Sequence, residues 1–376
     1  MKFVRQCLLF FLVMVCGAQD VSADVTFNKA EKIVISRFGP WPPVSQADVS
    51  NKASGNPEAI ELGEQLFGDR RFSKGNKLSC KDCHQPEFSF ADSVSLNRGF
   101  APLKRNTLSL YNLRWSNWFG WSGASDSLWM QSLRPIISPD EMNMTVAKVG
   151  EIIKNDRSLN EEFERIFGDA GNLNGELLYV QFGKILAAYQ ETLISPRSRF
   201  DQFRDALLAG DKRAIDLYPE DAKRGLKIFL GKGRCHFCHF GPLFTTGEFA
   251  DIGMSQFNAD GSVDKGRYTG IQTLLASPYN LLGKYNDDLT GTVGVRTRHI
   301  RLLHRNFGEF KIPSLRNVSN TSPYMHNGSL KTLEDVVAHY SELDIERIHQ
   351  DTEALLRPLG LSDEEKQDLV SFLKTL

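Results

Sequence analysis

Cysteine is scarce in this sequence, with six among 376 residues, and two of the six stand near the N-terminus. The other four form two C-x-x-C pairs: Cys80, Cys83, Cys235 and Cys238. No cysteine is therefore left for a structural disulfide elsewhere, which excludes the small disulfide-stapled proteins of the extracellular space. Any chemistry of these four thiols has to be explained from the pairs themselves.

Long apolar runs and an excess of charge of one sign are also missing. The chain carries 45 basic and 46 acidic residues, a formal net charge of −1 at pH 7. Such a balance gives no general attraction to nucleic acid, so no nucleic-acid partner is expected. Beyond the N-terminal segment, no apolar stretch reaches the roughly 20 residues of a membrane helix, so no membrane span is expected either.

The N-terminal segment is typical of a secretory signal peptide. It has a basic start, an apolar run over residues 7–16 and small residues at 21–23, where a signal peptidase would cut. Cleavage after residue 23 would leave 353 residues, enough for about two domains, in an exported, periplasmic protein. An alternative is lipid anchoring at Cys16, although Val15 is larger than the residue that such signals place before the cysteine.

Each cysteine pair is followed directly by a histidine, in "SCKDCH" at residues 79–84 and in "RCHFCH" at residues 234–239. C-x-x-C-H is the attachment signature of haem c, in which both thiols bond to the haem vinyl groups. The following histidine, His84 or His239, then binds the iron, and His236 is only a variable residue of the loop. Two alternatives are a zinc site built from both pairs and a redox dithiol. Neither explains the repeated histidine, so the sequence predicts two covalently bound haem c groups.

The pattern of apolar residues predicts a mainly α-helical fold. A helix-like segment precedes each motif, with apolar spacing around Leu62 and Leu226, and residues 173–193 are typical of a long helix. Ser362 and Glu365 have the spacing of a capping box at the start of a C-terminal helix. The repeated order of helix, loop and haem motif predicts two cytochrome c-like haem domains with long loops between helices.

The boundary between the two predicted domains falls after the long helix, where Pro196 interrupts the helical pattern. We assign residues 24–205 to an N-terminal haem domain and residues 206–376 to a C-terminal haem domain. One motif then lies in each domain, which is the arrangement expected of a duplicated haem-binding unit.

Longer stretches of the chain resemble a known family, the bacterial di-haem cytochrome c peroxidases and their relative MauG. Besides both haem motifs, the matching stretches include "LFGDRRFS", "RNTLSLYNL", "FGWSG", "LRPIISPDEM", "RGLKIFLGKGRC" and "IPSLRNVSNTSPYMHNGSLKTLEDVV". The resemblance implies a peroxide-reacting haem in the N-terminal domain, an electron-exchanging haem in the C-terminal domain and a calcium ion between them. It therefore implies an enzyme that acts on hydrogen peroxide.

Histidine is absent between His84 and His236, and this absence concerns the first haem. Typical peroxidases of the family place a second histidine on that iron, and it must leave before peroxide binds. The resemblance therefore implies an iron held by His84 alone, with an open face and no reductive activation step. Met142 and Met144 are the alternative ligands in this part of the chain.

Tyr340 falls where typical members have a methionine ligand to the second iron, and MauG has a tyrosine there. The resemblance implies that His239 and Tyr340 bind that iron, with His339 as the main competitor and Met325 as a weaker one. An anionic phenolate favours ferric and higher oxidation states, whereas a methionine thioether raises the potential. The alternative is an ordinary helix tyrosine whose hydroxyl bonds to water or to a carbonyl.

Three residues match the distal pocket of the first haem in the family. Glu141 in "SPDEM" matches the acid–base residue that takes a proton from peroxide and returns it to the departing oxygen. Gln131 matches an amide that orients peroxide, and Pro135 matches a wall of the pocket. Without the resemblance, Glu141 would be interpreted as a solvated acid at a helix start.

Trp121 matches the tryptophan that lies between the two haems in the family, where an oxidisable indole passes electrons from one iron to the other. The alternative is a core residue, since Trp115, Trp118 and Trp121 are spaced three apart and could form an apolar stripe.

Asn106, Thr321 and Pro323 match the calcium ligands of the family, which are one side-chain amide and two backbone carbonyls. Oxygen ligands of this kind suit calcium. A lone asparagine is otherwise a common turn residue, and this is the alternative interpretation of Asn106.

Two features concern the partner. MauG has a surface tryptophan for electron transfer from its protein substrate two positions before a haem cysteine, where this chain has Gly233. Maturation of methylamine dehydrogenase by the same route is therefore not expected. The basic cluster Arg296, Arg298, Arg301 and Arg305 has three interpretations: it covers haem propionates, docks an acidic partner or is a solvated loop.

These features together predict a periplasmic di-haem c-type peroxidase that reduces hydrogen peroxide through a high-valent di-haem state. The electrons would come from a small donor protein, a cytochrome c or a copper protein. One alternative is a MauG-like enzyme that modifies residues of a partner protein. Another is a di-haem electron-transfer protein without peroxide chemistry.

Overall fold

The computed structural model describes residues 24–168, 174–348 and 356–376, and the predicted signal peptide lies outside the described residues. Thirteen α-helices and two short strands occupy the described chain. The helices α1 to α13 are Lys29–Ser36, Pro57–Phe67, Leu128–Ile137, Val146–Asn155, Arg157–Phe167, Gly175–Gln190, Arg199–Ala209, Lys212–Asp216, Glu220–Leu230, Arg267–Ala276, Val295–His299, Leu333–Ser341 and Asp363–Leu373. The strands β1 (Phe249–Ala250) and β2 (Phe310–Lys311) pair antiparallel. The predicted mainly α-helical fold is confirmed.

A first hydrophobic cluster is built around α6, which is buried along nearly its whole length. Helices α2, α3 and α4 pack against it. Gly63 of α2 permits close contact, because a Cβ there would stand 2.5 Å from the carbonyl oxygen of Ile185. The long helix predicted over residues 173–193 is thus present, with the bounds of α6. Cys80 packs against this cluster, which therefore supports the first haem motif.

A second hydrophobic cluster is centred on the crossing of α9 and α13. The predicted C-terminal helix is present as α13, and Ser362 and Glu365 form the expected capping box. Helix α9 ends just before the second motif, and Cys235 packs against this second cluster. Each haem motif is therefore held by its own hydrophobic cluster.

The two clusters do not follow the order of the chain. Phe27 and Phe38, which lie on either side of α1, belong to the second cluster. Leu274 and Tyr285 from the C-terminal half belong to the first cluster. The domain boundary after residue 205 stays a prediction, and the packing adds that segments from each half cross to the other cluster.

No helix within residues 24–168, 174–348 and 356–376 combines the length and the apolar character that a membrane span requires.

The crossing of α9 and α13 is tightest at Gly225. A Cβ at this position would lie 2.0 Å from the carbonyl oxygen of Asp368, a backbone atom that cannot move without its helix. We expect Gly225→Ala to lower the free energy of unfolding by about 1–3 kcal/mol, because the helices must separate. Gly175→Ala is the matched control, since its Cβ would meet its nearest atom at 3.8 Å. Denaturant unfolding of both holoproteins is the measurement, and equal stabilities would contradict this prediction.

Candidate active site

A cavity of about 1160 Å³ is lined by residues of both hydrophobic clusters and of both haem motifs. It is larger than the roughly 300–1,000 Å³ of a typical small-molecule site. The predicted site residues that line it are Cys80, Cys83, His84, Asn106, Trp121, Gln131, Pro135, Glu141, Cys235, Cys238, His239, Thr321, Pro323 and Tyr340. The fold therefore brings the whole predicted site to one cavity.

The two motif histidines have the same surroundings. In each motif the backbone N–H of the histidine donates to the backbone carbonyl of the first cysteine, at 2.9 Å for His84 and 2.8 Å for His239. The Nδ1 of His84 lies 2.9 Å from the carbonyl oxygen of Phe90, and the Nδ1 of His239 lies 3.0 Å from that of Phe244. A carbonyl oxygen only accepts, so each Nδ1 carries the proton. Each Nε2 is then unprotonated, which ligation of a haem iron requires.

The protonation of the motif residues fits haem better than the alternatives. Burial lowers the pKa of His84 and brings that of His239 to about 4, so both imidazoles are neutral at pH 7. Burial raises the pKa of the Cys80, Cys83 and Cys235 thiols to about 12, whereas a redox dithiol needs a lowered thiol pKa. In the part of the chain that the structure describes, no three His, Cys, Asp or Glu side chains are placed to hold a metal ion together. A zinc site shared by both motifs therefore has no support.

Tyr340 lies on α12 and lines the cavity beside the second motif. Burial raises the pKa of its phenol, and the two thiols of the second motif add to this shift. No hydrogen-bond partner for its hydroxyl occurs among the described residues. The neighbouring His339 does not line the cavity, and its Nε2 lies 2.8 Å from the carbonyl oxygen of Ile252. Met325, the weaker competitor, does line the cavity.

Glu141 stands in the turn that follows α3, and backbone hydrogen bonds fix this turn. The N–H of Glu141 donates to the carbonyl of Ser138 at 3.2 Å, and the N–H of Phe100 donates to the carbonyl of Glu141 at 3.2 Å. Burial raises the pKa of the Glu141 carboxyl, while a hydrogen bond with Ser138 and the charge of Arg134 oppose the shift. The carboxyl also contributes to the raised pKa of both thiols of the first motif, so it lies near that motif.

Gln131 and Pro135 lie four residues apart on α3 and so share a face of this helix. The Oε1 of Gln131 accepts a 3.0 Å hydrogen bond from the hydroxyl of Ser125. Both side chains line the cavity, as Glu141 does. An amide, an apolar ring and a buried carboxyl are thus available in the same part of the cavity wall.

Trp121 is 9 % exposed, and its indole Nε1 donates to the carbonyl oxygen of Asn106 at 2.8 Å. The backbone N–H of Lys311 donates to the carbonyl of Trp121 at 2.8 Å. The ring of His326 stands edge-on at 6.5 Å. The segment 113–121 is a short 3-10 turn followed by a loop, so the three-residue spacing of its tryptophans does not form a helical stripe.

The three predicted calcium ligands line the cavity, and each has an oxygen atom available for a cation. The Nδ2 of Asn106 donates to the carbonyls of Val94 and Ser95, both at 3.2 Å, which leaves its Oδ1 available. The carbonyls of Thr321 and Pro323 accept no backbone hydrogen bond from the described residues. One amide oxygen and two carbonyl oxygens fit a hard cation such as calcium.

Two buried cations near Trp121 were not found from the sequence. Lys311 donates from Nζ to the carbonyl of Trp118, and Arg267 donates to the carbonyl of Gly123 at 2.6 Å. Burial lowers the pKa of Lys311 to about 8 and that of Arg267 to about 10. Lys311 lines the cavity and so offers a positive charge that fits a haem carboxylate. Its only signal in the sequence is a lone charge between apolar residues.

The remaining residues considered from the sequence differ in whether they line the cavity. Gly233 and Met142 line the cavity, whereas Met144 and His236 do not. The arginines of the basic cluster at 296–305 are exposed and line no part of the cavity. The interpretation that this cluster covers haem propionates therefore has no support.

Known proteins resemble this chain over most of its length. Residues 57–211 match the family described as di-haem cytochrome c peroxidase. The methylamine utilization protein MauG of Methylorubrum extorquens is 34% identical over 322 residues, which are 85% of this chain and 78% of MauG. The cytochrome-c peroxidase IdrP2 of Denitromonas iodatirespirans is 33% identical over 327 residues, which are 86% of this chain and 82% of that protein.

A solved structure agrees with these similarities. It is that of a MauG-like protein associated with microbial copper homeostasis, with a TM-score of 0.65 and 27% sequence identity over 90% of this chain and 95% of that chain. The relatives are named as peroxidases or as MauG, which are haem oxidoreductases. This chain therefore belongs to the di-haem cytochrome c peroxidase family, to which MauG also belongs, and it is a haem-dependent oxidoreductase.

Proposed function

We propose that this protein is a periplasmic di-haem c-type peroxidase that reduces hydrogen peroxide with electrons from a small donor protein. The observation that carries the proposal is the single cavity lined by both C-x-x-C-H motifs, Glu141, Trp121 and Tyr340. The signal peptide predicted from the sequence supports the periplasmic location. When bound, the two haems supply the redox chemistry, and the protein supplies their attachment, the proton transfers and the shielding from water.

Glu141 is the acid–base group of the proposed reaction. As a carboxylate it takes a proton from one oxygen of hydrogen peroxide and gives it to the other oxygen as the O–O bond breaks. The departing oxygen leaves as water, and two electrons and two further protons from outside complete the reduction to two waters. The raised pKa of this carboxyl supports the proposal, since a carboxylate of higher pKa is a stronger base towards the peroxide proton.

Gln131 and Pro135 assist Glu141 in complementary ways. The Oε1 of Gln131 is engaged by the hydroxyl of Ser125, so its Nε2 can donate to a peroxide oxygen. Pro135 adds an apolar surface without an N–H, which keeps water from competing for the same position. The face of α3 therefore orients the peroxide while Glu141 moves the proton.

Trp121 is proposed to carry electrons between the two haems. Trp121→Phe keeps an aromatic ring but removes the oxidisable indole and its hydrogen bond to Asn106. We expect the inter-haem electron-transfer rate to fall by at least about tenfold, which is about 1.4 kcal/mol in the barrier. Stopped-flow absorbance of the second haem after peroxide addition measures this rate. Trp115→Phe is the control, because Trp115 does not line the cavity and its indole nitrogen has no hydrogen-bond partner among the described residues. Equal rates in both variants would exclude Trp121 as the route.

Tyr340 is the proposed second ligand of the iron bound by His239. Its phenol faces the cavity beside the second motif without another hydrogen-bond partner among the described residues. His339 is less suited, because its Nε2 is already occupied by the carbonyl of Ile252 at 2.8 Å. A calcium ion held by Asn106, Thr321 and Pro323 is also proposed. Such an ion would stiffen the segment whose carbonyl anchors Trp121.

Electron paramagnetic resonance of the resting holoprotein, before and after stoichiometric peroxide, tests the proposed function. We expect a high-spin ferric signal from the haem at His84 beside a low-spin signal from the other haem, with both lost on addition of peroxide. Two low-spin signals that ignore peroxide would overturn the proposal and favour a plain electron-transfer protein. A response to peroxide without turnover by any cytochrome or copper-protein donor would favour a MauG-like modification of a partner protein.

A further inference from the structure

The exposed arginines of the basic cluster belong to a surface that the cavity does not use. We define the basic segment as residues 295–305, which comprises α11 and the turn that follows it. All four of its arginines are exposed. None of them forms a salt bridge with a carboxylate of residues 24–168, 174–348 or 356–376. The segment thus presents a concentrated positive charge on a chain whose formal net charge is −1.

Exposed aliphatic side chains lie among these arginines. Val295 is 43% exposed, Leu302 39% and Leu303 46%. Leu282, which is 46% exposed, adjoins the start of the segment, since its Cδ2 lies 3.2 Å from where a Cβ of Gly294 would be. Apolar contacts mixed with arginine are characteristic of protein–protein interfaces. A solvated loop needs no such aliphatic groups at its surface.

The rest of the segment is firmly attached to the protein. The hydroxyl of Thr297 donates to the buried carboxylate of Asp126 at 2.6 Å. Ile300 packs against the first hydrophobic cluster. The backbone that carries the arginines is therefore anchored to the rest of the protein, which lowers the entropy cost of binding a partner.

The C-terminal end of the basic segment is separated from the active-site cavity by one helix. The turn at His304–Asn306 contacts α10, and the cavity is lined by Thr269, Gly270 and Thr273 of the same helix. An α-helix with its side chains is about 10 Å thick. The chain then continues into β2, where the N–H of Lys311 donates to the carbonyl of Trp121 at 2.8 Å. A partner bound at the segment would thus stand close to the electron path of the cavity.

We propose that residues 295–305, together with Leu282, form the docking surface for a small acidic electron-donor protein. The inference rests on the proposed peroxidase function, whose partner it specifies. Charge complementarity selects an acidic partner, and the aliphatic groups provide the contact once the partner has arrived. A mixed surface of this kind gives fast, short-lived complexes whose association depends strongly on ionic strength.

The test compares two fourfold variants of the full-length holoprotein. In the first, Arg296, Arg298, Arg301 and Arg305 are replaced by glutamine. In the control, four exposed basic residues of α4 and α5 are replaced by glutamine: Lys148, Lys154, Arg157 and Arg165. Both variants lose the same charge, so an effect of net charge alone would appear in both. Binding is measured without peroxide, with a small acidic cytochrome c as the probe and a basic cytochrome c of similar size as its counterpart.

We expect the association rate constant of the acidic cytochrome to fall at least about tenfold in the first variant at about 10 mM ionic strength. The difference from the wild type should disappear at about 150 mM, where the Debye length is about 8 Å. The control variant should bind within about twofold of the wild type, and the basic cytochrome should bind no variant well. Unchanged binding in the first variant would overturn the docking surface, as would equal binding of the basic cytochrome.

Two further outcomes separate this inference from the proposed function. If the acidic cytochrome binds through the arginines but the resting protein does not react with peroxide, the docking surface stands and the peroxidase proposal fails. If peroxide reacts normally and the arginine variant binds and oxidises the acidic cytochrome like the wild type, the peroxidase stands and the docking surface fails. Binding of the segment to vesicles of anionic lipid in place of acidic protein would also overturn it.

Discussion

Replacing Glu141 by glutamine should slow the reaction of the holoenzyme with hydrogen peroxide by about 10²–10⁴-fold. Glutamine has nearly the shape of glutamate and can still hydrogen-bond to Ser138, but it cannot take a proton from peroxide and return it. The backbone hydrogen bonds that fix the turn around Glu141 do not involve its side chain, so the pocket should keep its form. The bimolecular rate constant from stopped-flow mixing with peroxide is the measurement.

The same substitution should change the pH dependence of the reaction. Burial raises the pKa of the Glu141 carboxyl above its ordinary value. Below that pKa the carboxyl is already protonated and cannot accept the peroxide proton, so the wild-type rate should fall as the pH decreases through it. In Glu141→Gln this acidic limb should be absent, because no group titrates at that position. A persisting acidic limb would assign the titration to another group.

Glu151→Gln is the matched control, since Glu151 is exposed on α4, where it pairs with Lys148. Its rate and pH profile should equal those of the wild type. Haem content, measured by absorbance, must be equal in all variants for the comparison to hold. If Glu141→Gln reacts within about threefold of the wild type and Asp140→Asn does not, the base is the neighbouring Asp140, which also lines the cavity.

The parts of this site that depend on local spacing were predictable from the sequence. C-x-x-C-H places two thiols and a histidine within one turn, so its chemistry does not depend on distant residues. Helices α9 and α13 were predictable from the apolar periodicity of consecutive residues. For α13, the capping pair Ser362 and Glu365 also marks the start of the helix. The positions of Glu141 and Tyr340 came instead from resemblance to a family, because neither residue has a distinctive local pattern.

Features that depend on distant partners could not be predicted. Helix α10 lies in a Gly-rich region that is typical of loops. Its Gly270 is required, since a Cβ there would lie 2.0 Å from the carbonyl oxygen of Ser122. Lys311 can be buried because its Nζ donates a hydrogen bond to the carbonyl of Trp118, 193 residues earlier in the chain. Phe27 joins the second cluster although it precedes the first haem motif. In each case the decisive contact is far away in the chain.

Replacing Tyr340 by phenylalanine should raise the midpoint potential of the second haem by on the order of 100 mV, within the range of about 0.8 V that axial ligands control. An anionic oxygen ligand stabilises ferric iron, so its loss favours the ferrous state. The substitution should not destabilise the fold, because it removes no hydrogen bond between the Tyr340 hydroxyl and the described residues. Redox titration followed by absorbance gives the potential, and electron paramagnetic resonance should show a changed low-spin signal.

His339→Gln is the variant that distinguishes the two neighbouring candidates. Successive residues of a helix point about 100° apart, so α12 can present only one of the two side chains to the same iron. Of the two, Tyr340 lines the cavity, while the Nε2 of His339 lies 2.8 Å from the carbonyl oxygen of Ile252. A glutamine amide can still donate to this carbonyl, so the potential should stay unchanged in His339→Gln. If the midpoint potential shifts in His339→Gln and not in Tyr340→Phe, His339 is the ligand. Helix α12 would then have to rotate and break the contact of His339 with Ile252.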